Sequence, residues 1–147
     1  MASEPVMTAD DLNALLIRIF PQVHGDFVVE EVGSMEARVR LKVSDKHLRP
    51  GGTVSGPSMF GLADVSIYVA IMAMIGPEAL SVTTNVSIDF MRKPAANADL
   101  IAEARLLKLG RVLAVGDVLL RSDGSDEVVA RAGVTYSIPP KAQASSA

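Results

Sequence analysis

The chain of 147 residues contains no cysteine, which removes disulfides, a thiol nucleophile and thiolate-bound zinc together. It has only two histidines, His24 and His47. A histidine-rich metal centre is therefore excluded, and both histidines read as surface loop residues. Tryptophan is absent and aromatics make up 4% of the chain, against 49% apolar residues, so the core must be built from Val, Leu, Ile, Ala and Met. Excess positive charge is missing too. A formal net charge of −3 supplies neither a basic field for nucleic acid nor a polybasic membrane anchor. The opening Met-Ala-Ser-Glu-Pro-Val-Met lacks a basic segment followed by an apolar run, so no secretory signal is read and a cytoplasmic protein is expected. No internal repeat is present. The expected organisation is one domain over residues 8–140, with flexible ends at 1–7 and 141–147.

The stretch that organises the chain runs from Ser55 to Gly76. Pro57 suits a first helical position because its missing N–H would be an orphan there, and Ser55, Gly56 and Ser58 surround it with cap chemistry. Gly76-Pro77 stops the helix, which predicts roughly 19 residues and about 28 Å at 1.5 Å per residue. Leu62, Val65, Ile67, Val69, Ile71, Met72 and Ile75 leave almost no polar face, so the helix should be surrounded by protein. A membrane span is the competing reading of so apolar a run. Asp64, Ser66 and two glycines interrupt it, and a lone span would leave the following strands unexplained. Asp64 is the one charge within it, and such a carboxylate is either bonded to a neighbouring strand, exposed, or functional.

Around this helix the pattern is mostly that of strands. Thr8 caps a short helix whose stripe is Leu12, Leu15, Leu16 and Ile19, ending near Pro21. Phe27 to Val32 and Ala37 to Val43 read as two strands joined at Gly33-Ser34-Met35-Glu36. Ser44 to Gly56 is a glycine-rich loop that enters the helix. After Pro77, Leu80, Val82, Thr84, Val86, Ile88 and Phe90 alternate with polar residues, which predicts one face over the core. Leu100 to Leu109 is rich in helix formers, yet its place between strands and the turn at Gly110-Arg111 favour a hairpin with Val112 to Leu120. Val128, Ala130, Ala132, Val134, Tyr136 and Ile138 form a last inward face before Pro139-Pro140. The fold class is therefore α+β, with an antiparallel sheet of about six strands wrapped around one long helix.

Chemistry converges on the start of that helix. Its free N–H groups can stabilise an oxyanion, and Asp64, eight residues after Gly56 and near the same face, can activate water against a carbonyl held there. This is the arrangement of acyl transfer to water. Gly56 to Asp64, then Val-Thr-Thr-Asn-Val-Ser-Ile-Asp-Phe-Met-Arg-Lys-Pro-Ala, Asp-Leu-Ile-Ala-Glu-Ala-Arg and Leu-Gly-Arg, resembles the hot-dog-fold acyl-CoA thioesterases of the phenylacetate-pathway (PaaI-like) group. The resemblance spans about residues 26 to 138. It implies dimers that pair their sheets, or dimers of dimers, with active sites at the interface, and hydrolysis of an acyl-CoA thioester without metal or other cofactor.

Carried over by residue, the resemblance makes Asp64 the general base or nucleophile and the Gly56 N–H the donor to the thioester carbonyl. It gives Thr83, from the opposite subunit, the orienting of water or carboxylate. Arg92, Lys93 and Arg111 fall where the family places coenzyme A phosphates, and Met59, Phe60 and Tyr68 help shape the acyl pocket. The chain departs from the family at three positions: Arg49 stands for Asn, Ser55 for His, and Pro57 for a second Gly. Ser55 can cap the helix or donate to substrate, but it cannot act as an imidazole acid. Arg49 is either a phosphate contact or a solvated loop cation. Two further readings stay open: a non-catalytic module binding acyl-CoA or acyl chains, and a hydratase or dehydratase, which commonly pairs a carboxylate with a histidine.

Overall fold

Thr8 starts the first helix, α1 (Ala9–Ile19), through a reciprocal pair of bonds. Its Oγ1 accepts the Asp11 N–H at 3.1 Å, and Asp11 Oδ2 accepts the Thr8 N–H at 2.9 Å, so two orphan donors are satisfied at once. The computed structural model describes residues 4–23 and 25–140; the expected tail 141–147, residues 1–3 and His24 lie outside them. After α1 and a short 3-10 turn come β1 (Phe27–Gly33) and β2 (Glu36–Leu41), paired antiparallel around a turn with Met35 at φ 62°. Asn13 pins α1 to β1, its amide donating to the Val29 carbonyl and accepting the Val29 N–H at 3.0 and 2.8 Å.

The central helix, α2 (Gly56–Ile75), has 20 residues and ends at Gly76 with φ 96°. Ser55 is its N-cap, with Oγ accepting the Ser58 N–H at 3.3 Å. Pro77, which follows, has no N–H to give the Ala73 carbonyl. That carbonyl instead accepts the N–H groups of Val6 and Met7 at 2.7 and 3.2 Å, so the segment before α1 is tied across the end of α2. Four strands follow: β3 (Val82–Phe90), β4 (Leu100–Leu109), β5 (Leu113–Ser122) and β6 (Val128–Ser137). The residues with good helix propensity at 100–109 are thus a strand, because pairing with β2 and β5 on either side outweighs it.

The six strands form one antiparallel sheet in the order β1-β2-β4-β5-β6-β3, curled around α2 in the hot-dog arrangement. Leu62, Ile67, Ile71 and Met72 of α2 are fully buried against Val39, Leu100, Val118 and Leu120 of the sheet, each burial contributing about 1.5–3 kcal/mol. Although α2 is long and apolar enough to cross a membrane, 72% of its most apolar window is buried within the protein. It is the core helix. Its wrapping is incomplete, however: Phe60 is 41% exposed, and Gly61, Asp64 and Tyr68 on the same side are half-buried.

The alternation expected for 80–90 does not survive. The register with β6 slips between Thr83 and Asn85, leaving Thr84 as an extra residue, and a bulge of one residue exchanges the two faces of a strand. Thr83, Val86 and Ile88 are half-buried, while Leu80 is 71% exposed and Val82 and Phe90 are both more than half exposed. β3 is also an edge strand.

Candidate active site

The bulge decides what meets Asp64. Thr83 and Tyr136 face each other in the register of β3 and β6, and both side chains reach the same carboxylate oxygen. Thr83 Oγ1 donates to Asp64 Oδ1 at 2.6 Å. The Tyr136 hydroxyl donates to Oδ1 at 2.8 Å and, more weakly, to the Asp64 carbonyl at 3.2 Å. Among the described residues Oδ2 accepts nothing and no cation pairs with Asp64. The Tyr136 ring is buried and stacks on Tyr68 with centroids 5.9 Å apart. Burial first, and then the Asp64 charge, push the Tyr136 phenol well above its ordinary range, so it remains a protonated donor at neutral pH.

This geometry corrects two expectations. The resemblance assigns Thr83 to the opposite subunit, yet it reaches Asp64 within one chain because the bulge turns it inward. The sequence also has Gly56 and Asp64 address one carbonyl together. Eight residues at 1.5 Å per residue separate them by about 12 Å along α2, too far for a single carbonyl to lie near 3 Å from both.

At the start of α2 the orphan donors reduce to one. Pro57 has none, Ser58 N–H goes to Ser55 Oγ, and Met59 N–H goes to the Ser55 carbonyl at 3.1 Å. The Gly56 N–H has no acceptor among the described residues. Gly56 lines a cleft of about 320 Å³ together with Arg49, Met59, Phe90, Arg92 and Lys93, among others. A methyl at Gly56 would lie 3.4 Å from the Phe90 ring.

Five of the residues singled out in the sequence are thus gathered: Arg49, Gly56, Met59, Arg92 and Lys93. Arg49, Arg92 and Lys93 are exposed, and Arg92 pairs with Glu127 at 2.7 Å. Phe60, Asp64 and Tyr68 follow one another at four-residue spacing along the open side of α2. Arg111 joins neither group. It lies beyond β4, at the sheet end where Val82 and Leu113 meet Ser137, whereas Arg92 follows the far end of β3.

Ser55 uses its hydroxyl as a cap and also donates to Ser58 Oγ at 2.9 Å. His47 is not a surface residue: it is 7% exposed. Its Nδ1 accepts the Ser44 N–H at 2.9 Å, its Nε2 lies 3.6 Å from Asp26, and its carbonyl accepts the Ser55 N–H at 2.8 Å. It therefore holds the loop that delivers the helix start. Tyr136 reads in the sequence as core alone; the available signal is that a buried tyrosine hydroxyl needs a partner.

An antiparallel sheet of six strands wrapped around one long helix defines a hot-dog-fold protein. The profile of the thioesterase superfamily matches residues 51–130, and the chain belongs to that superfamily. A thioesterase candidate from Silicibacter sp. TM1040, known as a crystal structure, is 56% identical over 95% of this chain and 97% of its own, with a TM-score of 0.88. A mutant form of the phenylacetic acid degradation protein PaaI from Thermus thermophilus is 28% identical over 81% of this chain and 99% of its own, with a TM-score of 0.69. An esterase candidate of Pseudomonas aeruginosa is 28% identical over 78% of this chain and 84% of its own.

Proposed function

We propose that the protein hydrolyses acyl-CoA thioesters at a site completed by a second copy of the chain. The observation that carries this reading is the pairing of needs: a carboxylate with one oxygen fixed and one open, and an unpaired helix N-terminal N–H, about 12 Å apart on one helix. Each half lacks what the other has. Antiparallel pairing of β3 with its copy, centred between Val86 and Ser87, sets Thr83 level with Phe90 of the partner subunit. Thr83 carries Asp64 with it, and Phe90 lies against Gly56, so Asp64 of one copy would face the Gly56 N–H of the other.

In this site Asp64 takes a proton from water as the water oxygen bonds to the thioester carbon. The carbonyl π pair moves onto oxygen and is held by the Gly56 N–H. Collapse re-forms the carbonyl and breaks the C–S bond, and the departing thiolate recovers the proton held by Asp64. A thiol is far more acidic than the alcohol that leaves an oxygen ester, so its thiolate leaves without a strong acid, which accommodates Ser55 where the family has histidine. Arg49, Arg92 and Lys93, beside Gly56, offer charge to the coenzyme's phosphates; Phe60 and Tyr68, beside Asp64, offer apolar surface to the acyl group.

The commitment of Ser55 to capping also favours a second reading, an acyl-CoA binder without turnover. Asp64→Asn separates the two, since it keeps size and removes basicity. Thiol release from a panel of acyl-CoAs should fall about 10²-fold or more, with thermal stability near that of the unmodified protein. Near-normal turnover in folded Asp64→Asn would remove Asp64 from the chemistry. Tight binding without thiol release by the unmodified protein would establish the binder.

A further inference from the structure

The Asp64 carboxylate is held asymmetrically, and that asymmetry has a source the family resemblance did not supply. Thr83 and Tyr136 both donate to Oδ1, at 2.6 and 2.8 Å, and among the described residues Oδ2 receives no donor. We propose that Tyr136 is a positioning residue for Asp64: with Thr83 it fixes Oδ1, sets the plane of the carboxylate, and leaves Oδ2 as the single oxygen that accepts the proton from water. The inference rests on the hydrolytic reading above and deepens it.

Three features make Tyr136 suited to this. Its ring is 3% exposed and stacked on Tyr68 at an interplanar angle of 16°, so the hydroxyl has little freedom to turn away. It lies on β6, opposite Thr83, so both donors are placed by one pairing of β3 with β6 rather than by a loop. Its second, longer bond to the Asp64 carbonyl ties the same hydroxyl to the backbone that carries the carboxylate. With Oδ1 taken up by two donors, Oδ2 is the oxygen left open to a proton from water.

Among the described residues of one copy, the titratable groups beside Asp64 are Tyr136 and, stacked on it, Tyr68, whose own hydroxyl donates to the Ala79 carbonyl at 2.9 Å; in the shared site Arg49, Arg92 and Lys93 of the second copy, the cations that line the cleft with Gly56, would face it as well. The test is Tyr136→Phe, which keeps the ring, the stack and the burial while deleting one donor. Two readings are taken: the carboxyl carbon-13 titration of Asp64, and the pH profile of kcat and KM for acyl-CoA hydrolysis. With a donor lost the anion is less stable, so the titration and the acid limb of kcat should both move to higher pH by about half a pH unit or more. kcat should fall roughly 10- to 150-fold, as expected for loss of one hydrogen bond to a charged group, with KM within about twofold.

Incorporation of 3-fluorotyrosine, a stronger donor, gives the opposite arm without removing an atom. The chain has only two tyrosines, and the Asp64 titration should move to lower pH. An Asp64 titration that moves in neither protein overturns the proposal whatever the turnover. A titration that moves as expected, in a protein whose unmodified form hydrolyses no thioester, upholds the hold on Oδ1 and removes the hydrolytic reading instead.

Discussion

Tyr136 is buried and bonded to the Asp64 carboxylate, and it gives the fold a dependence on alkaline pH. In the unfolded chain its phenol ionises near ~10; in the folded protein burial and then the Asp64 charge raise that value far higher. Tyr68 is raised as well, by burial and then Glu78. A group whose folded pKa is raised contributes stability that is fully present below its unfolded pKa and is lost as pH rises toward the folded value. Thermal stability should therefore be flat through neutral pH and fall above about pH 10. Tyrosinate absorbance should appear together with loss of ellipticity in an alkaline titration. Ionisation of both tyrosines near their ordinary value in a folded protein would contradict the burial argument.

Among the described glycines, the tightest setting between elements is that of Gly116 in β5. A methyl there would meet Ile67 Cδ1 of α2 at 2.5 Å and the Arg105 carbonyl of β4 at 2.8 Å; the first neighbour is a side-chain tip, the second is backbone and cannot turn aside. Gly116→Ala should therefore cost about 1–3 kcal/mol through overpacking, seen as a lower midpoint in urea with an unchanged slope. Ser55→Ala removes the cap of α2 and should cost about 1 kcal/mol. The ends of α2 were legible in the sequence because cap chemistry and Gly76-Pro77 are local, and β6 because its inward residues alternate; β4, rich in helix formers, was legible only from its place between strands. The bulge at Thr84 was not legible: it is set by how β3 pairs with β6, and the unbroken alternation from Leu80 to Phe90 pointed the other way. For the same reason Thr83 could be picked from a resemblance but not placed, and Tyr136, inside an alternating apolar run, read only as core. His47 shows the converse, a loop histidine buried by contacts with Ser44, Asp26 and Ser55 that no local pattern announces.

At the scale of the whole molecule, a single copy leaves β3 as an edge strand flanked by exposed Leu80, Val82, Phe90 and Met91, an arrangement that invites pairing with a second chain. The composite site makes a sharp prediction from this. Asp64→Asn spoils the base and leaves the Gly56 donor; Gly56→Pro removes the donor N–H and leaves the base. The chain before residue 56 admits proline, since Ser55 has φ −74° and ψ 155°, the extended region a residue preceding proline requires; the added ring would sit against Phe90, so circular dichroism checks that the variant folds. Each variant alone should be nearly inactive. Dissociated, mixed in equal amounts and reassociated, half of the dimers carry one copy of each. In those, one site joins Asp64 of one chain to Gly56 of the other with both intact, while the second site lacks both. Activity should return to roughly a quarter of that of the unmodified protein. A site built within one chain would regain nothing on mixing, because neither variant holds both groups. A folded monomer in sedimentation at micromolar concentration, with full turnover, would likewise exclude the shared site, since the 12 Å or so between Gly56 and Asp64 along α2 does not close within one copy.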